Sequence, residues 1–353
     1  MNINDLGFTA DLAAYLEDNH LSDFSVGRVT REHRERYVVS DGDKEYEAEI
    51  TGNLRFSGNS RTDFPAVGDW IAMTVYDSDK AIIHKILPRK SVLERQAVGK
   101  PGETQIISTN IDAAFIIQAI NNNFSINRLE RYLTVCYSSN IEPVLVISKI
   151  DLSTEKEVQD AISSLEKRDR RIKYILLSNM TLQGLDQVMD FIQKGKTYCV
   201  IGSSGVGKST LINNLLKKNI LKTGQISLST NKGRHVTDHR ELLVLENGGI
   251  IIDTPGMREL GVADSANGLE ITFDIIVSLS RKCRFKDCTH TNEIGCSVTA
   301  AVDNGEIDKD SYENYLKLQR EKAHYESTIA EKRKKDKVFG KLIKNYFKDI
   351  NKK

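Results

Sequence analysis

The chain has 353 residues, of which 39% are hydrophobic and 28% are charged, and its formal net charge is +1. This composition is typical of a folded protein of two or three domains, and it excludes the disordered, collagen-like and disulfide-stapled classes. No stretch approaches the roughly 18 to 20 consecutive apolar residues that a membrane span needs, and the acidic N-terminus is unlike a signal peptide, so we expect a cytoplasmic protein without membrane contact. We also expect a monomer.

The charge is distributed unevenly along the chain. From Lys317 to Lys353 there are 13 Lys and Arg residues against 5 Asp and Glu, so this tail carries about +8 and the other 316 residues about −7. A basic tail on a near-neutral body indicates an anionic polymer as partner, most simply nucleic acid. A solvated helix face is the alternative interpretation.

After an N-terminal extension over residues 1–23, residues 24–95 contain short strands of alternating pattern. The runs are FSVGRVT, RYVVSDG, EYEAEITG, GDWIAMTVYD and AIIHKILP. Several short strands separated by turns indicate a small barrel or sandwich, and five of them in about 70 residues fit the OB-fold, a β-barrel that often binds oligonucleotides.

Residues 105–275 change to near-continuous apolar strands that alternate with helical patterns. The strands are IDAAFIIQAI, PVLVISKID, KYILLS, TYCVIG and GGIIIDTPG. This alternation predicts an α/β domain with a parallel sheet covered by helices on both faces, where ligands bind at the carboxyl ends of the strands. Asn247-Gly248 between two apolar runs predicts a hairpin. Residues 276–353 hold a cysteine cluster followed by an amphipathic, Lys-rich helix.

Residues 202–209 read GSSGVGKS between a predicted strand and a predicted helix, which is the context of a phosphate-binding P-loop. Its glycines let backbone N–H groups surround a phosphate, Lys208 reaches the β- and γ-phosphates, and Ser209 binds Mg²⁺. The predicted nucleotide contacts in this motif are Gly202, Ser203, Ser204, Gly205, Val206, Gly207, Lys208, Ser209 and Thr210.

Asp253-Thr254-Pro255-Gly256 closes the last apolar strand, where a second phosphate motif belongs. Asp253 would lie near Mg²⁺, and the Gly256 N–H would face the γ-phosphate. The polar, aperiodic segment TNKGRHVTDHREL between the two motifs predicts a switch loop. In this loop Thr237 is the predicted Mg²⁺ ligand because it closely precedes the next strand, and Thr230 is the competing candidate.

Ser148-Lys149-Ile150-Asp151 follows a buried strand and predicts a base-reading motif. The Asp151 carboxylate can accept both the ring N1–H and the exocyclic amine of guanine, whereas adenine offers no such donor pair, so the motif favours GTP over ATP. Lys149 would lie along the plane of the base. Backbone N–H groups of Ser178 and Asn179, after the next strand, would face the guanine carbonyl.

The base-reading motif precedes the P-loop, whereas an ordinary GTPase has the P-loop first, so the chain is circularly permuted. With this order, and with PAVGDW, ILPRKSVLERQ, QIISTNIDAAFII, RLERYL and the cysteine cluster, the chain from about Phe24 to about Lys335 resembles the circularly permuted ribosome-assembly GTPases, the ribosome small subunit-dependent GTPase A family. The resemblance implies an OB-fold, a permuted GTPase domain and a C-terminal zinc domain. It also implies a GTP hydrolase that binds the small ribosomal subunit and its rRNA in late maturation and that the subunit stimulates.

The resemblance implies roles for single residues as well. Met257 follows the glycine of the DxxG motif and cannot hydrogen-bond a water, so another group must position the attacking water. His235 matches the family's histidine for this role, although a solvated loop histidine is the alternative for it, as for His239. Thr237 matches the family's metal-binding threonine, and Ser148 departs from the family's usual asparagine.

The permutation also joins the DTPG segment directly to the C-terminal domain. We therefore expect the nucleotide state to steer that domain.

Three thiols and one imidazole lie within 14 residues of each other, at Cys283, Cys288, His290 and Cys296. They suit one closed, structural zinc site, and the charged segment between them has little apolar core, so it should depend on the metal to fold. Three free thiols and a surface histidine are the alternative, and the family resemblance favours zinc.

Two other functions stay open on the sequence alone. One is a non-catalytic RNA-binding assembly scaffold, which Met257 and Ser148 favour. The other is an ATPase, which Asp151 disfavours.

Overall fold

The computed structural model describes residues 2–33, 36–58, 60–96, 104–120, 124–168, 171–218, 221, 240–254 and 266–327. The strands are β1 (Ser25–His33), β2 (Arg36–Ser40), β3 (Glu45–Ile50), β4 (Trp70–Asp77), β5 (Lys80–Ile86), β6 (Val92–Gln96), β7 (Thr104–Thr109), β8 (Ala113–Ala119), β9 (Glu142–Ser148), β10 (Tyr174–Leu177), β11 (Thr197–Gly202), β12 (Glu241–Val244) and β13 (Ile250–Asp253). The helices are α1 (Ala10–Asp18), α2 (Gly52–Ser57), α3 (Ile126–Ser138), α4 (Glu155–Arg168), α5 (Leu185–Phe191), α6 (Lys208–Leu216), α7 (Ala266–Thr272), α8 (Asp274–Ser280), α9 (Ser297–Asp303) and α10 (309–327).

Strands β1 to β5 form a closed barrel in the order β1-β2-β3-β5-β4, which the pairing of β1 with β4 completes. The alternation seen in the sequence sets the two faces of each strand. In β3, Tyr46, Ala48 and Ile50 are buried, whereas the glutamates between them are exposed. The predicted N-terminal barrel is therefore confirmed.

The α/β part contains the parallel strands β10, β9, β8, β11 and β13 in that order, with β12 antiparallel to β13. Every residue of β8 is buried because helices cover both faces of the sheet. Helices α3 and α4 pack on one face, and α5 and α6 pack on the other. The predicted α/β fold and its Asn247-Gly248 hairpin are present.

Two connections between the barrel and the α/β sheet were not predicted. Strand β12 pairs with β1 at Arg31 and Glu241, so the barrel continues the sheet. A separate two-stranded ribbon of β6 and β7 links the two parts, and Arg240 donates a hydrogen bond of 2.9 Å to the carbonyl oxygen of Ile106 in this ribbon.

The buried side chain of Arg28 joins three segments of the chain. Its guanidinium donates to the carbonyl oxygens of Leu6 at 2.6 Å, Gly68 at 3.2 Å and Asn110 at 3.3 Å, and it lies 5.4 Å from the centre of the Trp70 ring. Burial lowers the pKa of Arg28 to about 10, so the side chain still carries its charge at neutral pH. The N-terminal segment, the barrel and the entry to β8 are thus fastened at one point.

The C-terminal part of the described chain packs against α3. Leu269, Phe273, Ile276, Val298 and Leu318 belong to one apolar cluster that joins α7, α8, α9 and α10. Gly268 of α7 lies so close to α3 that a Cβ atom there would be 2.0 Å from the carbonyl oxygen of Thr134. In the described part of the chain, no helix combines the length and the apolar character that crossing a membrane requires.

Replacing Arg28 by methionine should destabilise the barrel strongly. Arg28→Met leaves three carbonyl oxygens without their buried donor, so we expect the free energy of unfolding to fall by about 3–5 kcal/mol. The measurement is urea unfolding followed by fluorescence of Trp70, the single tryptophan of the chain. Arg36→Met is the matched control, because the Arg36 side chain is 76% exposed and should change stability by less than about 0.5 kcal/mol. Equal unfolding midpoints for the two variants would contradict the assignment.

Candidate functional site

The predicted nucleotide motifs meet at one edge of the α/β sheet. Strands β10, β9, β8, β11 and β13 are parallel, so their carboxyl ends point the same way. The register aligns Leu177 and Ala119 with Ser148, and Gly202 with Ile117. The loops that follow β9, β10 and β11 therefore share this edge with the carboxyl end of β13, as expected for a ligand site of an open α/β sheet.

The segment GSSGVGKS forms a tight turn between β11 and α6. Gly202, Gly205 and Gly207 have φ angles of 148°, 77° and 101°, values that side-chain-bearing residues rarely adopt. A Cβ atom at Gly202 would lie 2.3 Å from the carbonyl oxygen of Ile117. The glycines thus allow both the turn and its close approach to β8.

The other P-loop residues lie around this turn. Ser203 and Ser204 are half-buried, Val206 is buried in the core below the loop, and Ser209 and Thr210 follow Lys208 in the first turn of α6. The Lys208 ammonium group donates to the carbonyl oxygens of Gly202 at 2.8 Å and Ser203 at 2.6 Å. Its charge therefore lies inside the loop, where a phosphate would need a cation.

Asp253 ends β13 beside the P-loop. Its side chain is largely buried, and this burial raises its pKa to about 6, although the positive charge of Lys208 acts in the opposite direction. Thr254 donates to the carbonyl oxygen of Val200 at 3.1 Å and anchors the strand end. A buried carboxylate of this kind is stabilised by a nearby cation. Gly256, His235 and Thr237 lie outside the described residues.

The base-reading segment follows β9. The fully buried Ser148 donates to the carbonyl oxygen of Val206 in the P-loop at 2.7 Å. Lys149 has a left-handed backbone with φ of 62°, and Ile150 and Asp151 form the short turn that follows. Asp151 is exposed and lies three residues after the end of β9.

The loop after β10 differs in detail from the prediction. The Ser178 N–H donates to the carbonyl oxygen of Gln183 at 3.0 Å, and the Ser178 hydroxyl accepts from the N–H groups of Met180 and Thr181. The backbone N–H of Ser178 is therefore engaged within its own loop. The Asn179 side chain instead donates to the carbonyl oxygen of Gly207 at 3.1 Å.

Helix α3 contributes contacts that the sequence did not reveal. Arg128 donates to the Ser203 hydroxyl of the P-loop at 3.0 Å. Further along the same helix, Arg131 makes a bidentate ion pair with Glu321 of α10, with both distances 2.6 Å. The charges in the otherwise apolar RLERYL run were the only signal in the sequence, and they do not identify partners in distant segments.

The buried Glu130 of α3 adds a second connection to the C-terminal part. It accepts hydrogen bonds from Asn314 at 2.6 Å and Ser311 at 3.1 Å, and it pairs with Arg168 of α4 at 2.9 Å. Burial raises its pKa. Neighbouring residues of α3 thus contact both the P-loop and α10.

Cys283, Cys288, His290 and Cys296 come together as the spacing predicted, with one ligand atom of each within 4.8 Å of the others. The Sγ atoms of Cys283 and Cys296 are 3.9 Å apart, and each lies 3.5 Å from Nδ1 of His290. Zinc bonds of about 2.3 Å to sulfur and about 2.0 Å to nitrogen place tetrahedral ligands about 3.5–3.8 Å apart. The four side chains therefore fit a tetrahedral zinc ion.

The surroundings of the cluster also suit a metal. Cys296 caps α9. Burial raises the pKa of its thiol, but the hydrogen bonds from Thr299, His290 and Cys288 together outweigh burial and lower the pKa to about 6. Tyr312 of α10 donates to the carbonyl oxygen of His290 at 2.5 Å. The ligand loop is therefore attached to the helix that contacts α3.

The chain was compared with known proteins. The family model described as RsgA GTPase matches residues 86–263. The small ribosomal subunit biogenesis GTPase RsgA 1 of Bacteroides thetaiotaomicron is 39% identical, covering 97% of this chain and 96% of that protein. The small ribosomal subunit biogenesis GTPase RsgA 2 of Lactiplantibacillus plantarum is 42% identical, covering 89% of each chain.

Solved structures agree with this comparison. YjeQ from Thermotoga maritima matches with a TM-score of 0.61 and 26% identity, covering 83% of this chain and 96% of that one. YloQ, described as a circularly permuted GTPase, has a TM-score of 0.59 at 24% identity, covering 86% of this chain and 96% of that one, and supports the fold. The permuted order of motifs, the shared sheet edge and the identity to these relatives along almost the whole chain lead to one conclusion: the chain belongs to the RsgA GTPase family and is an enzyme that hydrolyses GTP.

Proposed function

We propose that this chain hydrolyses GTP in the late maturation of the small ribosomal subunit. The names of its relatives support a role in small ribosomal subunit biogenesis. The observation that carries the proposal is the convergence of the P-loop, Asp253 and the base-reading loops on one sheet edge, in a chain that aligns with these relatives over nearly its full length. The rival functions, a non-catalytic scaffold and an ATPase, do not fit membership of a GTPase family.

In this proposal Lys208 exchanges its two carbonyl partners for the β- and γ-phosphates of GTP. The P-loop backbone N–H groups and the N-terminus of α6 hold the same phosphates. Ser209 and Thr237 would bind Mg²⁺, with Asp253 beside it, and the bound Mg²⁺ would neutralise charge on the β- and γ-phosphate oxygens. The Gly256 N–H would face the γ-phosphate.

The Asp151 carboxylate would accept hydrogen bonds from the N1–H and the exocyclic amine of guanine, and Lys149 would lie along the plane of the base. Because the Ser178 N–H is engaged within its loop, the Asn179 N–H is the better candidate of the two to face the guanine carbonyl. The selection of GTP would then depend on one exposed carboxylate and one backbone donor.

His235 would position the attacking water, since Met257 has no group that can do so. A histidine on a switch loop acts only when the loop is ordered, so hydrolysis by the isolated chain should be slow. Docking on the small ribosomal subunit would order the loop and stimulate hydrolysis.

The barrel and the basic C-terminal tail would contact rRNA. The contacts of α3 with Ser203, Asn314 and Glu321 support coupling between the nucleotide and the C-terminal part, because one helix touches both. The tetrad of Cys283, Cys288, His290 and Cys296 would hold one structural zinc ion with no open position for catalysis. We propose a cytoplasmic monomer.

Lys208→Ala should reduce subunit-stimulated GTP hydrolysis by roughly 100-fold or more, because the phosphates lose their cation in the transition state. The measurement is phosphate release by the zinc-loaded chain with and without purified small ribosomal subunits. Lys218→Ala, at an exposed lysine just after α6, is the control and should keep the wild-type rate. Stimulation that persists in Lys208→Ala would count against the assigned active site.

Asp151→Asn should weaken GTP binding by roughly 100-fold and improve binding of xanthosine triphosphate, because xanthine carries a carbonyl where guanine has its amine. Competition between the two nucleotides for a fluorescent GDP analogue measures the change. Asp160→Asn, at an exposed carboxylate of α4, should leave the preference unchanged. An unaltered preference for GTP in Asp151→Asn would remove the base-reading role.

Cys296→Ser should abolish binding of one zinc ion per chain, and the segment 276–303 should become sensitive to protease because the metal holds its loops. Atomic emission and limited proteolysis measure the two effects. Cys136→Ala, which removes a buried thiol of α3, should retain the zinc. A full zinc content in Cys296→Ser would refute the ligand set.

A further inference from the structure

Two side chains from the base-reading loops hold two successive carbonyl groups of the P-loop. Ser148, at the end of β9, donates to Val206 O at 2.7 Å. Asn179, after β10, donates through Nδ2 to Gly207 O at 3.1 Å. Both carbonyls belong to the turn that leads into α6, so these bonds fix the phosphate-binding turn relative to the loops that would hold the base.

The Asn179 side chain is held from its other side by α6. Asn214 Nδ2 donates to Asn179 O at 3.1 Å and to Asn179 Oδ1 at 3.3 Å. The amide oxygen of Asn179 is thus directed at Asn214, and its NH₂ group at Gly207. This arrangement requires glycine at 207, because a Cβ atom there would lie 2.7 Å from Asn179 Nδ2.

Ser148 alone cannot make these contacts. A hydroxyl has one hydrogen to donate, and in Ser148 the short bond to Val206 O uses it. The carbonyl of Gly207 accepts the backbone N–H of Leu211 at 2.9 Å in α6, and it receives a second hydrogen bond from a side-chain amide on a different strand end, 28 positions before it in the sequence. An asparagine at position 148, the usual residue of the family, would offer two amide hydrogens where the serine offers one.

We propose that Asn179 is a positioning residue for guanine-nucleotide binding, and that its amide, together with the Ser148 hydroxyl, replaces the asparagine that is missing at position 148. The pair acts as a clamp between the base site and the phosphate site. This inference rests on the proposed nucleotide site and adds a residue that sets its specificity.

A clamp of this kind should affect only ligands that engage both sites. GDP uses the base site and the phosphate site together, whereas ADP carries the same diphosphate on a base that Asp151 does not read. Loosening the clamp should therefore weaken GDP binding and leave ADP binding nearly unchanged. Damage to the P-loop itself would weaken both nucleotides equally.

The experiment measures the affinities of the full chain for GDP and ADP by competition against a fluorescent GDP analogue. Asn179→Ala should lose about tenfold in GDP affinity, the equivalent of one ordinary hydrogen bond, with less than a twofold change for ADP. Asn179→Leu has nearly the same shape, lacks the NH₂ donor and adds no charge beside the phosphates, and it should show the same selective loss. Asn53→Ala, at an exposed site in α2 of the barrel, is the control and should bind as the wild type does.

The double variant Ser148→Asn/Asn179→Ala moves the amide to position 148 and should recover GDP affinity to within about threefold of the wild type. Equal losses for GDP and ADP, or unchanged GDP affinity in both Asn179 variants, would overturn the inference. An unfolding midpoint of Asn179→Leu equal to that of the wild type, followed by Trp70 fluorescence, shows that the selective loss does not come from unfolding. Failure of the wild-type chain to bind GDP would instead overturn the proposed function itself.

Discussion

The parallel alignment of β8, β9, β10, β11 and β13 is the constraint on which the rest of the structure depends. Parallel strands buried on both faces place their carboxyl ends at one edge, whatever the order in which loops and helices connect them. The motifs in this chain stand in permuted order, yet the strand register brings their loops to that common edge. Permutation changes which segments are covalently joined, but it leaves the motif loops at the edge where the sheet places them.

Contacts within the protein define the conformation of the P-loop. Glycines in left-handed conformation make the turn, Lys208 fills it with positive charge, and neighbouring loops hold its carbonyl groups from outside. Beside it, the Asp253 carboxyl group is buried and poorly solvated, and this burial raises its pKa to about 6. A ligand that brings a cation would favour the ionised carboxylate, because the opposite charge offsets the lost solvation. Carboxylates with pKa values shifted by burial are common at functional sites.

Much of this architecture was predictable from local pattern. Alternating residues predicted the barrel, continuous apolar runs predicted the parallel sheet, and clustered Cys and His residues predicted the tetrad, because each signal lies within a short stretch. The ribbon of β6 and β7 was missed because its residues show neither a clear alternation of apolar and polar residues nor a continuous apolar run. The contacts of Arg128 with Ser203 and of Asn179 with Gly207 join side chains to loops 75 and 28 positions away, so only tertiary packing determines them. His235, Thr237 and Gly256 lie outside the described residues, so their roles stay predictions.

The three bonds of Arg28 also bear on how the protein is made. During synthesis the nascent chain presents the barrel strands first, while the carbonyl of Asn110 follows 82 positions after Arg28. Until Asn110 leaves the exit tunnel, the guanidinium buried beside Trp70 lacks one of its three carbonyl acceptors. A fragment cut off after β5 would therefore keep the acceptors at Leu6 and Gly68 but would leave the buried guanidinium without the carbonyl of Asn110.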